Sequence, residues 1–422
     1  MYKKTVLDNG LRIVAHPMPS MESLSLGIWI TIGGRYETFE NKGISHFLEH
    51  MLFKGSKNYS CRKIKESIEG IGGSLNGFTS EEVTCYLVKI PAKYLKIALD
   101  ILSDMVLRPT LTKTDIEKER TVILEEIKMY KDLPQSYVYE LLDELLWPKH
   151  PLGLPIIGNV ESVNKIDRNL LFTFRRQHYT PSNIVISAAG SFDYQKLVKL
   201  CENIFRKEKK QEKNVFQRAT ENQNSPRLKI FPKETEQTHL AMGFYALERE
   251  HRLKHALSML HIILGANMSS RLFHELREKR GMAYEIGSGL KRHQDTGAFL
   301  VHAGIDNRKV CATIKLILEE LNKTRDKLVS VDEFRRAKDF YIGQLMLSLE
   351  DTLDHMLWIG ESTVALNKTY SLRDIVAQVN QVEREDIRET GQMIFKENKL
   401  SLALIGPPEN KEEDISGILR MN

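Results

Sequence analysis

VNKIDRNLLFTFRRQHYTPSNIVISAAG (residues 163–190) and VNQVEREDIRETGQMIFKENKLSLALIG (residues 379–406) are the two stretches that settle how this chain is built. Each begins with a Val-Asn pair placed 27 positions before a glycine (163 to 190, 379 to 406). Each reads as a polar-faced helix, a short turn and an apolar strand that ends at that glycine. A single match of this kind arises by chance, but the same element order in both stretches argues for duplication. The expected fold is therefore α+β: two duplicated α/β halves, each a mainly antiparallel sheet with helices packed on one face.

Between the repeats, FRKEKKQEKNVFQRATENQNSP (residues 205–226) is polar, charge-rich and poor in large apolar residues, as an exposed linker is. It divides the chain into residues 1–205, a linker at 206–225, and residues 226–422. In the first half LRIVAHP (11–17) and SLSLGIWITIG (23–33) read as strands, the second alternating apolar with small or polar residues. GISHFLEHMLFKG (43–55), IKESIEGIG (64–72) and YLKIALDILSDMVL (94–107) read as helices. DIEKERTVILEEIKMYKD (115–132) is a longer one, acidic early and lysine-bearing late, as the helix dipole favours.

The bulk properties exclude several classes. At 422 residues the chain has ample material for buried cores, and its net charge of +5 comes from 61 basic and 56 acidic residues mixed along its length. That pattern implies neither a nucleic-acid nor a membrane surface. The four cysteines, at 61, 85, 201 and 311, form no CxxC pair, so a reducing compartment is expected rather than a disulfide framework. The N-terminal MYKKTVLDNGLRIVAHPMP lacks the continuous apolar stretch of a secretory signal. No window is apolar for long enough to span a bilayer, and the expected location is the cytoplasm.

Within the first predicted helix lies His46-Phe47-Leu48-Glu49-His50. Positions i, i+3 and i+4 share one helix face, so His46, Glu49 and His50 point the same way. Their neighbours Phe47, Leu48, Met51, Leu52 and Phe53 are apolar. Two imidazoles and a carboxylate left without partners in such a segment are costly, and a bound cation removes that cost. This is the inverted form of the HExxH zinc-protease helix. A catalytic zinc takes three protein ligands and keeps one open position. The long acidic helix offers Glu117, Glu119, Glu125 and Glu126 as the third. Glu119 and Glu126 are seven apart and lie close to one stripe, while Glu117 reads better as a solvated residue. Spacing alone does not choose among them.

HFLEHMLFKG followed by ERTVILEEIKMYKDLP resembles the pitrilysin and insulinase family of zinc metallopeptidases, the group that includes mitochondrial processing peptidase. The resemblance runs from LDNGLRIV to LALIGPP, nearly the whole chain. It implies one Zn2+ per chain held by His46, His50 and Glu126, with Glu49 activating water and Glu119 holding a ligand in position. GGSLNGFTSEEVTCYLV (72–88) resembles the family's edge strand, implying that Asn76, Gly77, Phe78 and Thr79 bind extended substrate by strand addition. SSRLFHELREKRGMAYEIGSGL (269–290) matches its Arg/Tyr element, implying that Arg277 and Tyr284 stabilise the oxyanion. The implied activity is hydrolysis of unstructured peptides by a zinc metalloendopeptidase acting as a homodimer, or as a heterodimer with a similar subunit. In that arrangement Arg277 and Tyr284 serve the partner's zinc site.

The second half departs from the first. Shifting HxxEH by the 216-residue repeat offset lands near Ile262, Gly265 and Ala266, where no such set recurs. The first half is expected to be catalytic and the second to bind substrate. The family's glycine-rich loop is reduced to Leu264-Gly265-Ala266-Asn267, which weakens any inference of presequence recognition. The rival readings are a non-catalytic structural or binding subunit of the same family and a metal-binding scaffold without turnover. The intact His46, Glu49, His50 and Glu126 argue against the first of these.

Overall fold

The computed structural model describes residues 2–407 and 412–421. In chain order the first half comprises β1 (Lys3–Val6), β2 (Arg12–Pro17), β3 (Ser23–Ile30), α1 (Ile44–Leu52), α2 (Cys61–Glu69), β4 (Ser74–Thr79), β5 (Thr84–Pro91), α3 (Leu95–Leu107), α4 (Lys113–Asp132), α5 (Pro134–Leu146), α6 (Val160–Lys165), α7 (Arg168–His178), β6 (Ile184–Gly190) and α8 (Tyr194–Phe205). The second comprises β7 (Arg227–Pro232), β8 (Gln237–Ala246), α9 (Lys254–Leu264), β9 (Ala283–Arg292), β10 (Gly297–Asp306), α10 (Val310–Asp326), α11 (Val331–Ser348), α12 (Thr352–Leu366), α13 (Leu372–Asn380), α14 (Arg384–Ile394), β11 (Leu400–Gly406) and α15 (Glu412–Ser416).

The strands form a six-stranded sheet in the order β1-β2-β6-β3-β5-β4 and a five-stranded sheet in the order β7-β11-β8-β10-β9. In the first, only β2 and β6 run parallel. In the second, only β7 and β11 do. Without the extra β1, the strands of each half take the same places in the same senses, so the duplication read from residues 163–190 and 379–406 extends to the topology. Each stretch holds the expected helix, turn and strand: α6, α7 and β6 in one, α13, α14 and β11 in the other.

The first sheet is buried on both faces, which the alternation of β3 explains. Leu24, Leu26, Ile28 and Ile30 face a core shared with Phe47, Leu48, Met51, Leu99, Leu102 and Phe174 from the helices of that half. Trp29 faces the other way, into a cluster with Val14, Cys85, Val185, Met356, Ile359 and Val364. Its last three members come from the segment around α12, far along the chain. A side chain at Gly360 would meet the Trp29 indole at 2.3 Å, so the absence of one lets α12 lie flat there. Ser23 and Ser25 hydrogen-bond the Thr352 hydroxyl at 3.1 and 3.0 Å. Each large apolar side chain removed from water in this way stabilises by about 1.5–3 kcal/mol.

The second sheet repeats the device. Val138, Leu141, Leu142 and Leu146 of α5 cover Ala241, Tyr245, Ala298, Leu300, Ala403 and Ile405 on one face. On the other, Phe395 meets Phe244 and Phe299 edge-on at 5.3 and 5.2 Å. Two differences from the sequence reading follow. Helices cover both faces of each sheet rather than one. The compact units are also discontinuous: one comprises the chain up to Lys128 with Leu154–Gln217 and Met346–Ser371, and the other comprises Met129–Gly153, Arg218–Leu345 and the chain from Leu372 onward. A contiguous split at 206–225 misses this because the apolar pattern of a helix shows that it must be covered, not by which sheet.

Candidate metal centre

Helix α1 turns its apolar positions inward and its polar ones away. Ile44, Phe47, Leu48, Met51 and Leu52 are fully buried in the first core, leaving His46, Glu49 and His50 together on the other side. Its first residue is preceded by Gly43, which has no side chain to cap the helix. Glu37 supplies the cap instead, accepting from the Gly43 N–H at 2.9 Å and the Ser45 N–H at 2.8 Å. A carboxylate at this end also complements the helix dipole. Lys42 stands 3.5 Å from the same carboxylate and donates to the Gly34 carbonyl at 2.7 Å. The helix that carries the site is thus anchored by a buried charged pair.

Helix α4 supplies the remaining groups. Glu126 Oε2 lies 3.9 Å from His46 Nε2 and 3.8 Å from His50 Nε2. These gaps are too long for hydrogen bonds. One ligand atom from each of the three residues lies within 4.8 Å of the others, and among the described residues no other group of three or more His, Cys, Asp or Glu is so disposed. Burial, and then the nearby His50, hold the His46 imidazole down to about 3, so it is neutral at physiological pH and free to donate a lone pair. Burial also raises the Glu126 carboxyl above its usual range. Two imidazoles and a carboxylate converging on one point suit a borderline-soft cation such as zinc better than the all-oxygen sites of calcium or magnesium.

Glu119, one seven-residue step earlier on α4, is buried and stands 3.1 Å from His50 Nδ1. With that carboxylate as acceptor the His50 proton sits on Nδ1, which leaves Nε2 open toward Glu126. Lys54 forms an ion pair with the other Glu119 oxygen. The two remaining glutamates of the helix turn outward: Glu117 is exposed beside Arg120 at 3.1 Å, and Glu125 beside Lys128 at 2.7 Å.

Glu49 shares the face of α1 with the two histidines but lies deeper, only 8% exposed. Burial pushes its carboxyl up, against the opposing pull of His50 and of a 3.2 Å hydrogen bond from the Thr79 hydroxyl. A side chain at Gly77 would meet the Phe53 ring at 2.9 Å and Glu49 Oε1 at 3.2 Å, so the bare backbone there keeps the carboxylate open. Both residues lie on β4, which occupies one edge of the first sheet and pairs only with β5. Asn76 uses its side-chain oxygen on the Gly77 N–H at 2.8 Å, and Phe78 packs edge-on against Trp29 with ring centres 5.7 Å apart.

Arg277 and Tyr284 belong to the second unit, where the structure brings them together. The Arg277 guanidinium lies 4.8 Å from the centre of the Phe273 ring and 5.3 Å from that of Tyr284. Tyr284 is 74% exposed near the start of the edge strand β9. Two residues that support the candidate centre were absent from the sequence reading. Lys54 had a signal, since it falls one helical turn beyond His50. Glu37 had none, because it caps α1 from a loop at no characteristic spacing.

Comparison with known proteins finds relatives along nearly the whole chain. Residues 12–160 match the family described as Insulinase (Peptidase family M16), and residues 165–341 match that described as Peptidase M16 inactive domain. The chain is 36% identical over 410 residues to YmxG of Bacillus subtilis, named as an uncharacterized zinc protease, covering 97% of this chain and 99% of that one. It is 34% identical over 416 residues to a similarly named protein of Streptomyces coelicolor, covering 97% and 90%. A protease of Helicobacter pylori of known crystal structure shares the fold with a TM-score of 0.91 at 24% identity, over 96% of this chain and all of that one. With relatives of this identity along almost its full length, the chain belongs to the insulinase family of peptidases, family M16.

Proposed function

We propose that this protein is a zinc metalloendopeptidase that hydrolyses unstructured peptides or extended protein segments. The observation that carries the reading is the convergence of His46, His50 and Glu126 beside the buried carboxyl of Glu49. His46, His50 and Glu126 would hold one zinc per chain, and zinc bound there supplies the Lewis acidity that polarises a peptide carbonyl and acidifies water. Glu49 accepts the proton of the attacking water and returns it to the departing amine. The upward push on its carboxyl brings it closer to the working pH, where such a group both takes and gives a proton well. Glu119, braced by Lys54, keeps the His50 ring turned toward the centre.

Substrate selection fits the edge strand. The outer side of β4 offers backbone groups to an extended chain, so Asn76, Gly77, Phe78 and Thr79 are assigned to substrate binding by strand addition. A folded substrate cannot present such a strand. Arg277 and Tyr284, a cation and a phenol held side by side, are assigned to stabilising the developing oxyanion. A homodimer, or a heterodimer with a similar subunit, is the expected assembly. The four free cysteines fit a reducing, cytoplasmic setting, and no helix of the described residues is long and apolar enough to cross a membrane.

The test is zinc stoichiometry measured together with cleavage of a quenched fluorescent peptide library, in wild type and Glu49→Gln. One zinc per chain in both, with cleavage only in wild type, is expected. Zinc without cleavage in either would point to a binding subunit or scaffold, and no zinc in wild type would overturn the reading.

A further inference from the structure

The edge of the first sheet opposite β4, formed by β1 and β2, carries a cluster of cations that the metal centre does not use. An open cavity of about 640 Å3 there is lined by Arg12, Ser182, Lys210, Glu212, Lys213 and Asn367, among others. Arg12 is 6% exposed. Its guanidinium donates to the Thr363 carbonyl at 3.1 Å and reaches the Thr31 hydroxyl at 3.5 Å, while its Nε is buried without a partner. Lys4 donates to the backbone and side-chain oxygens of Asn367 at 2.8 and 3.0 Å.

The charges at this edge do not balance. Among the described residues no carboxylate pairs with Lys4, Arg12, Lys210 or Lys213, although Glu212 is in the lining. The C-terminal end of α12 answers part of the positive charge through the Thr363 and Asn367 carbonyls. A helix end offers only roughly half an elementary charge, against four cations. Burial holds the Arg12 guanidinium below its usual range with no acid to offset it. Burial, then the charges of Arg12 and Lys213, do the same to Lys4. A buried cation of this kind is costly unless a counter-charge meets it.

We propose that this cavity is an anion site that takes a small ligand carrying a phosphate group. A phosphate brings up to two negative charges and three acceptor oxygens, which suits a guanidinium and two ammonium groups lining one cavity better than a single carboxylate does. Residues 210–213 now rest on the fold through the Gln211 N–H to the Ser182 hydroxyl at 3.3 Å and the neighbouring Asn214 N–H to Asn183 Oδ1 at 2.9 Å. An anion held between Arg12 and Lys213 would fasten that segment to the β1–β2 edge. The site is separate from the metal centre, since β1 and β4 are the two opposite edges of the sheet.

Calorimetric titration of the metal-loaded protein with inorganic phosphate, at an ionic strength held constant with chloride, tests the proposal. One phosphate per chain is expected for wild type. Affinity should fall at least ~10-fold in a Lys210→Met/Lys213→Met double variant and disappear in Arg12→Met. Zinc content and peptide cleavage should be unchanged in the lysine variant, whose substitutions touch neither α1 nor α4. No saturable binding beyond the chloride control would overturn the site. So would undiminished binding in the lysine variant, which would place the phosphate elsewhere, including on the metal.

Discussion

Helices α1 and α9 occupy the same place in the two halves of the molecule, yet only one of them contributes to a candidate metal centre. Both are apolar helices that follow the strand pairing with β6 or β11, and both carry two histidines. In α1 the histidines are four positions apart and lie about 40° from each other around the axis. In α9, His255 and His261 are six apart, which separates them by roughly 120°. The long helix that comes later in each half completes the contrast. Helix α4 presents Glu126 to both α1 histidines at distances that leave room for a cation. Helix α11 presents the Tyr341 hydroxyl to His255 at 3.1 Å, and Gln378 takes its other nitrogen at 3.0 Å. His261 is bound to the Ser288 hydroxyl at 2.7 Å. A helix histidine becomes a ligand when its neighbours leave it unsatisfied at a shared point, and becomes a structural residue when they do not.

The largest effect expected from this contrast is at Glu49. Glu49→Gln should lower kcat/KM by ~10²- to 10⁴-fold, the range for loss of a positioned general base, while metal analysis still finds one zinc per chain. Retained cleavage would move the proton transfer to another group. Glu126→Gln comes next, with a drop in zinc affinity, read by chelator competition, that exceeds the ~10- to 100-fold typical of an outer partner. Unchanged affinity would make Glu119 the third ligand. Glu119→Gln itself should weaken zinc by ~10- to 100-fold, and Lys54→Met should weaken it in the same direction by less.

Thr79→Val should act on the pH profile rather than on zinc. The Thr79 hydroxyl stabilises the Glu49 carboxylate and so lowers its pKa. Without that bond the carboxyl is pushed higher and the base is protonated at higher pH. The acidic limb of kcat/KM against pH should therefore move upward, and an unmoved limb would show that the bond is not made in the working enzyme. The smallest effect is expected in the second half. His261→Gln should leave zinc and cleavage untouched and cost about 0.5–1.5 kcal/mol in urea unfolding through the bond to Ser288. Any loss of zinc there would break the contrast between the halves.

Much of this was legible in the chain itself because the signals are local. The HxxEH spacing places three polar groups on one helix face whatever surrounds them, and α1 forms at Ile44–Leu52 within the expected 43–55. The repeat between residues 163–190 and 379–406 anticipated two sheets of one topology. Its offset carried over poorly to the front of the repeat. The 216-residue shift lands near Ile262, whereas α9 begins 210 positions after α1 (254 against 44). Loops between strand and helix differ in length between the halves, so one offset cannot hold throughout. The shortfall does not alter the conclusion, since α9 carries no HxxEH set in either alignment.

The amino-acid sequence alone determined the elements, their duplication and the face of α1 that carries chemistry, because these follow from periodicity over a few helical turns or strand residues. Helix spacing did not choose among the four glutamates of α4 and the family resemblance implied Glu126, but only the tertiary structure shows where each of them stands. It turned Glu117 and Glu125 to solvent, set Glu119 against His50 and brought Glu126 between the two imidazoles. It also decided that α5 covers the second sheet and α12 the first. Both outcomes depend on which surface meets which across long stretches of chain. An amphipathic pattern states that a face will be buried but does not encode its partner, and that pairing is resolved by packing.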